Sequence, residues 1–209
     1  MTTTPDRKRG SYAKGQAKRQ EILDAALVVF GRSGFHSGSL REIAKRVALT
    51  PAGLMHHFAT KEELFTEVLR QRDERVKEAA GDVAEDTLLQ QMRRVVSYNQ
   101  TTPGLTSLYT VIAAEATNRD HPAHEYFAAR YADRAEQTAA ILADAQRDGL
   151  VREDLDVHHA SRLIAAVMDG LQQQWLLDDT VDMTGVFDEF VRGYFLNPAP
   201  VTVPGPEGS

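Results

Sequence analysis

Between residues 39 and 63 the sequence starts three helices, and that closeness constrains the fold more than any other feature of the chain. Ser39 and Glu42 form a Ser-x-x-Glu capping box, in which each side chain can satisfy a free backbone N–H at a helix start. Leu40, Ile43, Ala44 and Val47 follow at the spacing of one helical face. After a break at Ala48-Leu49, Thr50 can cap a second helix with Pro51 at its first position, where the missing N–H of proline costs nothing. Leu54 and Phe58 are the inward residues of that helix. Thr60 and Glu63 repeat the capping box and open a longer helix with Leu64, Phe65, Val68 and Leu69 inward. Two short helices separated by about three residues make the helix-turn-helix pattern, here over residues 39–58.

The rest of the chain reads as helix too. Ile22, Leu23, Ala26, Leu27, Val29 and Phe30 share one broad face of a first helix from Ala17 to Arg32, with Gly34 as its stop. Further helices are predicted around Leu88–Val96 and Leu105–Ile112, from Ala123 to Arg147, from Asp156 through Trp175, and from Met183 to Leu196. No strand-like alternation and no internal repeat occur. The expected fold is all-α: a three-helix helix-turn-helix head and a larger C-terminal helical domain. The expected divisions are a flexible basic arm over 1–16, a DNA-binding domain over 17–62, a helical body over 63–196, and a disordered tail over 197–209, rich in proline and glycine.

The net charge of −6 conceals a polarity. Residues 1–62 carry 11 Lys/Arg against 5 Asp/Glu, whereas residues 63–209 carry 13 against 25. A basic head on an acidic body fits a chain that meets a polyanion at one end. Cysteine is absent, so disulfides and thiolate metal sites are excluded. No apolar run is long enough to span a membrane, and no apolar stretch follows the basic N-terminus as in a secretory signal, so a cytoplasmic location is expected.

In a helix-turn-helix the first helix braces the second, whose N-terminal residues lie at the base edges of the major groove. Helix starts also present free N–H groups and a positive dipole end to phosphate. Residues 43–65, Ile-Ala-Lys-Arg-Val-Ala-Leu-Thr-Pro-Ala-Gly-Leu-Met-His-His-Phe-Ala-Thr-Lys-Glu-Glu-Leu-Phe, resemble the signature of the tetracycline-repressor (TetR) family. The sequence resemblance covers roughly residues 17–70. Beyond it helix pattern and length are similar, with a mild likeness at Met168-Asp169-Gly170-Leu171 and Trp175-Leu176-Leu177-Asp178. The resemblance implies a homodimeric transcriptional regulator, usually a repressor, that binds a pseudo-palindromic operator in double-stranded DNA and releases it when a small-molecule effector enters the C-terminal domain. It places Thr50, Pro51, Ala52, Gly53 and His56 on the groove-facing part of the recognition helix, and Ser39, His57 and Lys61 at backbone-contact positions. The basic arm (Arg7, Lys8, Arg9, Lys14) is a candidate for minor-groove or phosphate contact.

This chain departs from the family pattern at two informative positions. Ala48 stands where the family often has glycine, so a left-handed turn would carry strain. Met55 replaces the usual tyrosine and removes a phosphate-bonding hydroxyl. Pro51, Ala52 and Gly53 offer no side-chain donors, so base reading is expected to lean on thymine-methyl contacts, on Thr50 and His56, on Arg41 of the preceding helix, and on groove shape.

An effector would be held by Met92, Tyr109, Ile112, Phe127, Tyr131, Met168 and Trp175 at inward spacings, with Glu115 as a buried polar group. Plain core packing accounts for any single one of these more simply. The strongly apolar helices near 156–178 and 183–196 are expected to pair with a second copy as a four-helix interface. His121-x-x-His124 has a metal-ligand look, but Pro122 points to a helix start rather than one continuous face, and no cofactor or metal is expected. His158 and His159 point different ways and read as solvated. No phosphate loop, Gly-x-Ser-x-Gly or metalloprotease motif is present, so an enzyme is not expected. The alternative is a helical small-molecule-binding or interaction protein without sequence-specific DNA binding.

Overall fold

The computed structural model describes residues 6–81 and 87–196, with side chains from residue 13 onward. The predicted tail over 197–209 and the side chains of Arg7, Lys8 and Arg9 lie outside the described residues. Among the described residues the chain forms nine helices and no strand: α1 (Asp6–Ser37), α2 (Leu40–Arg46), α3 (Pro51–Met55), α4 (Lys61–Ala80), α5 (Leu88–Thr101), α6 (Pro103–Glu115), α7 (His124–Arg147), α8 (Val157–Leu177) and α9 (Met183–Tyr194). Helix α1 is longer at both ends than its apolar face predicts, so residues 6–16, expected as an arm, are helical. Gly34 does interrupt it, with φ 70° and ψ −178°, and one short turn follows the kink.

The helices pack as two compact units, Met1–Asp82 with Tyr98–Ala129, and Val83–Ser97 with Arg130–Ser209. In the first, Ile22, Ala26 and Phe30 of α1, Ile43 of α2, Leu54 of α3, Phe58, and Leu64, Phe65 and Val68 of α4 are all buried. Burying such side chains, at roughly 1.5–3 kcal/mol each, is what makes helices as short as α2 and α3 stable. Phe30 and Phe65 meet edge to face with ring centres 5.2 Å apart. Helix α6 lies along the last turns of α1. The approach is so close that a Cβ on Gly31 would stand 3.3 Å from the Gly104 carbonyl oxygen. Ser107 donates its hydroxyl to the Gly31 carbonyl at 2.8 Å.

In the second unit, Leu142, Val151, Leu155, Ala160, Ile164 and Phe195 form one buried cluster, and Val96, Leu171, Met183 and Phe187 another. Asp156 caps α8 by accepting from the N–H groups of His158 and His159, as its position in the sequence predicts, and Asp182 caps α9. Gln146 ties the following loop by donating to the carbonyls of Arg152, Glu153 and Leu155 at 3.1, 2.8 and 3.0 Å. No described helix is long and apolar enough to cross a membrane.

Candidate nucleic-acid interface

The three predicted caps are all present. Ser39 Oγ accepts from the Glu42 N–H at 3.4 Å, Thr50 Oγ1 from Gly53 at 3.0 Å, and Thr60 Oγ1 from Glu63 at 3.0 Å. The return halves of the boxes differ from expectation. Glu42 turns instead to Arg46, one helical turn on, at 3.1 Å. Glu63 accepts from the N–H of Ala59, one residue before the cap, at 2.7 Å. The turn between α2 and α3 closes through the Leu49 N–H to the Ala44 carbonyl at 2.9 Å. That geometry needs Ala48 at φ 53°, the left-handed conformation glycine would adopt more easily.

This turn sets α3 with Leu54 inward and Thr50, Pro51, Ala52, Met55 and His56 exposed. Gly53 and His57 are half-buried. Thr50 uses its oxygen as acceptor in the cap, which leaves its O–H free to donate outward. Arg41 is exposed on α2 and makes no hydrogen bond or ion pair among the described residues; Ser39 is half-buried at the start of that helix. Met55, at 38% exposure, is an apolar residue on an otherwise solvated surface.

Lys61 lies differently from an outstretched phosphate ligand. Its ammonium donates to the His36 carbonyl at 3.2 Å and stands 4.7 Å from the ring centre of Phe35. Burial pushes its pKa below the ordinary lysine value, against the opposing pull of Glu62 and Glu115. Nearby is a cluster the sequence did not suggest. His121 is buried, faces the rings of Phe35, Phe65 and His36, and has Nε2 3.3 Å from Glu115 Oε2. Burial holds His121 below the usual histidine range, with His36 adding to the effect and Glu115 opposing it. His121 Nδ1 accepts from the Ala123 N–H, and His124 Nδ1 faces the Ala116 carbonyl, so the two histidines serve separate backbone contacts. Among the described residues no group of three or more His, Asp or Glu gathers as a metal site.

The predicted effector residues divide between the units. Tyr109, Ile112, Glu115 and Phe127 belong to the first, where Tyr109 and Phe127 have ring centres 5.5 Å apart. The guanidinium of the buried Arg72 lies 4.2 Å from the ring centre of Tyr109 and pairs with Asp73 at 3.1 Å, and the Tyr126 hydroxyl donates to the same carboxylate. Sequence reasoning missed Arg72, because nothing in a mostly charged helix sets it apart, as the one to be buried, from its neighbours Arg70 and Arg75. Met92, Tyr131, Met168 and Trp175 belong to the second unit: Met92, Met168 and Trp175 pack on its apolar clusters, and Tyr131 donates to Asp169. Glu115, expected as a buried polar group, is half-buried with its side chain 30% exposed, because it sits at the end of α6 and reaches the N–H of Phe35, where it accepts at 2.8 Å.

Residues 22–68 match the family model of bacterial regulatory proteins of the tetR family. Residues 84–195 match that of the BetI-type transcriptional repressor, C-terminal. Over 160 residues the chain is 29% identical to the HTH-type transcriptional regulator UidR of Escherichia coli, covering 76% of this chain and 81% of that protein. Its fold is similar to that of a putative transcriptional regulator from Saccharomonospora viridis solved in complex with choline (TM-score 0.72, 21% identity, 88% of this chain and 100% of that one). It is also similar to AibR, solved with isovaleryl coenzyme A and operator DNA (TM-score 0.66, 18% identity, 85% and 98%). With an all-α fold, an exposed helix braced in a capped helix-turn-helix, and one family model covering more than half of its length, the chain belongs to the TetR family of DNA-binding transcriptional regulators rather than to the enzymes.

Proposed function

We propose that this regulator is a cytoplasmic homodimeric repressor, bound to a pseudo-palindromic operator and released from it by a small-molecule effector. The observation that carries the reading is the exposed start of α3, with Thr50, Pro51, Ala52 and His56 turned outward on a braced helix whose only buried member is Leu54. A side-chain set so poor in donors cannot specify many bases by bidentate pairing, so one copy reads little. Two copies with recognition helices about 34 Å apart double the readout on a symmetric site. Helices α8 and α9 supply apolar side chains for such pairing, among them Leu177 at 83% and Val186 at 49% exposure. The proposed division of labour gives residues 17–62 to DNA reading and 63–196 to effector binding and dimerisation, with residues 6–16 carried as the first turns of α1 rather than as a free arm. Ser39, His57 and Lys61 are assigned to the DNA backbone, Lys61 by exchanging the His36 carbonyl for phosphate, and Arg41 to base reading. AibR, solved with both a small molecule and its operator, has the kind of dual binding proposed here. The effector acts by population shift, binding best to the conformer whose recognition helices are wrongly spaced for the operator.

The test is selection from a random DNA pool, followed by the mass of the protein and of its complex. Recovery of an inverted repeat, bound by a dimer with affinity that falls as salt rises, is expected. Weak binding that ignores sequence, or a monomer at micromolar concentration, would overturn the reading in favour of a helical ligand-binding or interaction protein.

A further inference from the structure

We propose that Glu115, the last residue of α6, is a positioning residue for DNA binding: its carboxylate latches the end of α1 and thereby fixes the helix-turn-helix that follows. The contact is specific in geometry. Glu115 Oε2 accepts from the backbone N–H of Phe35 at 2.8 Å, across 80 residues of chain. The N–H it takes lies directly after the kink at Gly34. A helix-breaking kink leaves N–H groups without their intrahelical carbonyls, and a buried N–H without an acceptor is costly. Glu115 supplies the missing acceptor from another helix.

The seat is shaped for that carboxylate. A Cβ added at Gly34 would lie 1.9 Å from Glu115 Oε1, so only glycine at position 34 lets both oxygens approach the backbone. On the far side His121 Nε2 stands 3.3 Å from the same Oε2, a charge-pair distance outside hydrogen-bond geometry, and that nitrogen has no hydrogen-bond partner. Because Nδ1 of His121 accepts from Ala123, the neutral ring carries its proton on Nε2, on the side of the carboxylate. The latched segment is also the one that Lys61, the first residue of α4, grips through the His36 carbonyl and the Phe35 ring. Residues 35–37 therefore connect three things: the end of α6, the start of α4, and the Ser39 cap of α2 two residues on. A helix-turn-helix reads its site through the placement of its second helix, and errors near 1 Å in such placements lose contacts outright. Ser107 on Gly31 holds the other end of α6 to α1, so the latch closes a contact that runs along both helices.

The charge of Glu115 is secondary to its oxygen. One oxygen, Oε2, accepts from Phe35, and the amide oxygen of glutamine can take the same place. The experiment uses the full-length protein, the duplex recovered from the random pool, and a scrambled duplex of equal length. Glu115→Gln is expected to keep affinity for the selected duplex within about threefold, and Glu115→Ala to lose at least about tenfold, with binding to the scrambled duplex unchanged. Amide exchange at Phe35, read by NMR without DNA, is expected to be slow in the parent and in Glu115→Gln and fast in Glu115→Ala. This arm separates failure of the latch from failure to bind a specific site. If Glu115→Ala does not stay folded, Glu115→Asp, which withdraws the carboxylate by one methylene, replaces it with the same expected loss. Wild-type operator affinity in the alanine or aspartate variant, or equal loss in the glutamine variant, would overturn the proposal.

Discussion

From Ser39 to Thr60 every cap is closed by a residue three positions along the chain, whereas Glu115 reaches Phe35 across 80 residues. The first region is held by near neighbours and presents an exposed surface. The second is held by remote partners, with Gly34, Phe35 and His121 buried and Glu115 half-buried at its edge. The contrast separates two tasks in one head. Local caps fix where α2, α3 and α4 begin, each adding about 1 kcal/mol to the burial that stabilises them. Remote polar contacts decide where those helices stand.

Gly34→Ala should break the remote side most severely. At φ 70° and ψ −178° the residue occupies a region open essentially to glycine alone, and the new methyl would also evict the Glu115 carboxylate. A loss of about 3 kcal/mol is expected, read as a lower denaturant midpoint at constant slope. A variant as stable as the parent would mean that the kink is not held in this geometry.

Ala48→Gly sharpens the local side in the opposite direction. The left-handed alanine carries strain of roughly 1–2 kcal/mol. Glycine removes it, but adds unfolded-state freedom worth roughly 0.4–1 kcal/mol. A net gain of about 0.5 kcal/mol is expected, visible as a small rise in Tm, with operator affinity unchanged. Destabilisation would show that the turn is not strained.

The finest effect concerns His121. It is faced by Glu115 from α6, by His36 from the end of α1, and by the Lys61–Phe35 pair at the start of α4. Its folded pKa lies below the ordinary value of 6.5, so the unfolded chain takes up its proton first. Stability is therefore fully present above pH 6.5 and falls as pH drops below it, until the ring also protonates in the folded protein. His121→Gln should flatten that part of the stability–pH curve relative to the parent. Curves of equal slope would contradict the assignment.

Much of this architecture is legible in sequence because its signals are local. The Thr50-Pro51 and Thr60 starts, the Asp156 cap and the apolar faces of α1 and α4 all lie within one or two turns of what they explain. The length of α1 was not legible, because residues 6–16 lack an apolar face to announce a helix. Neither was the use of Glu115, which spacing alone puts beside Ile112 as a buried polar group and which the structure joins to Phe35. Lys61 is a similar case: its place at a helix start suggests phosphate, and its side chain folds back on the His36 carbonyl. Long side chains reach whatever partner the tertiary fold offers, and no periodicity encodes that.

The central claim is that the start of α3 and the adjoining start of α4 read DNA, and a Thr50→Ala, Lys61→Ala double variant tests it most directly. Thr50 also caps α3, so circular dichroism must first show the helix content and Tm of a folded protein, and Thr50→Ser serves as the cap-preserving control. The prediction is at least a tenfold or so loss of affinity for the selected operator, with weak, salt-sensitive binding to other DNA retained. Unchanged operator affinity in a folded double variant would contradict the account.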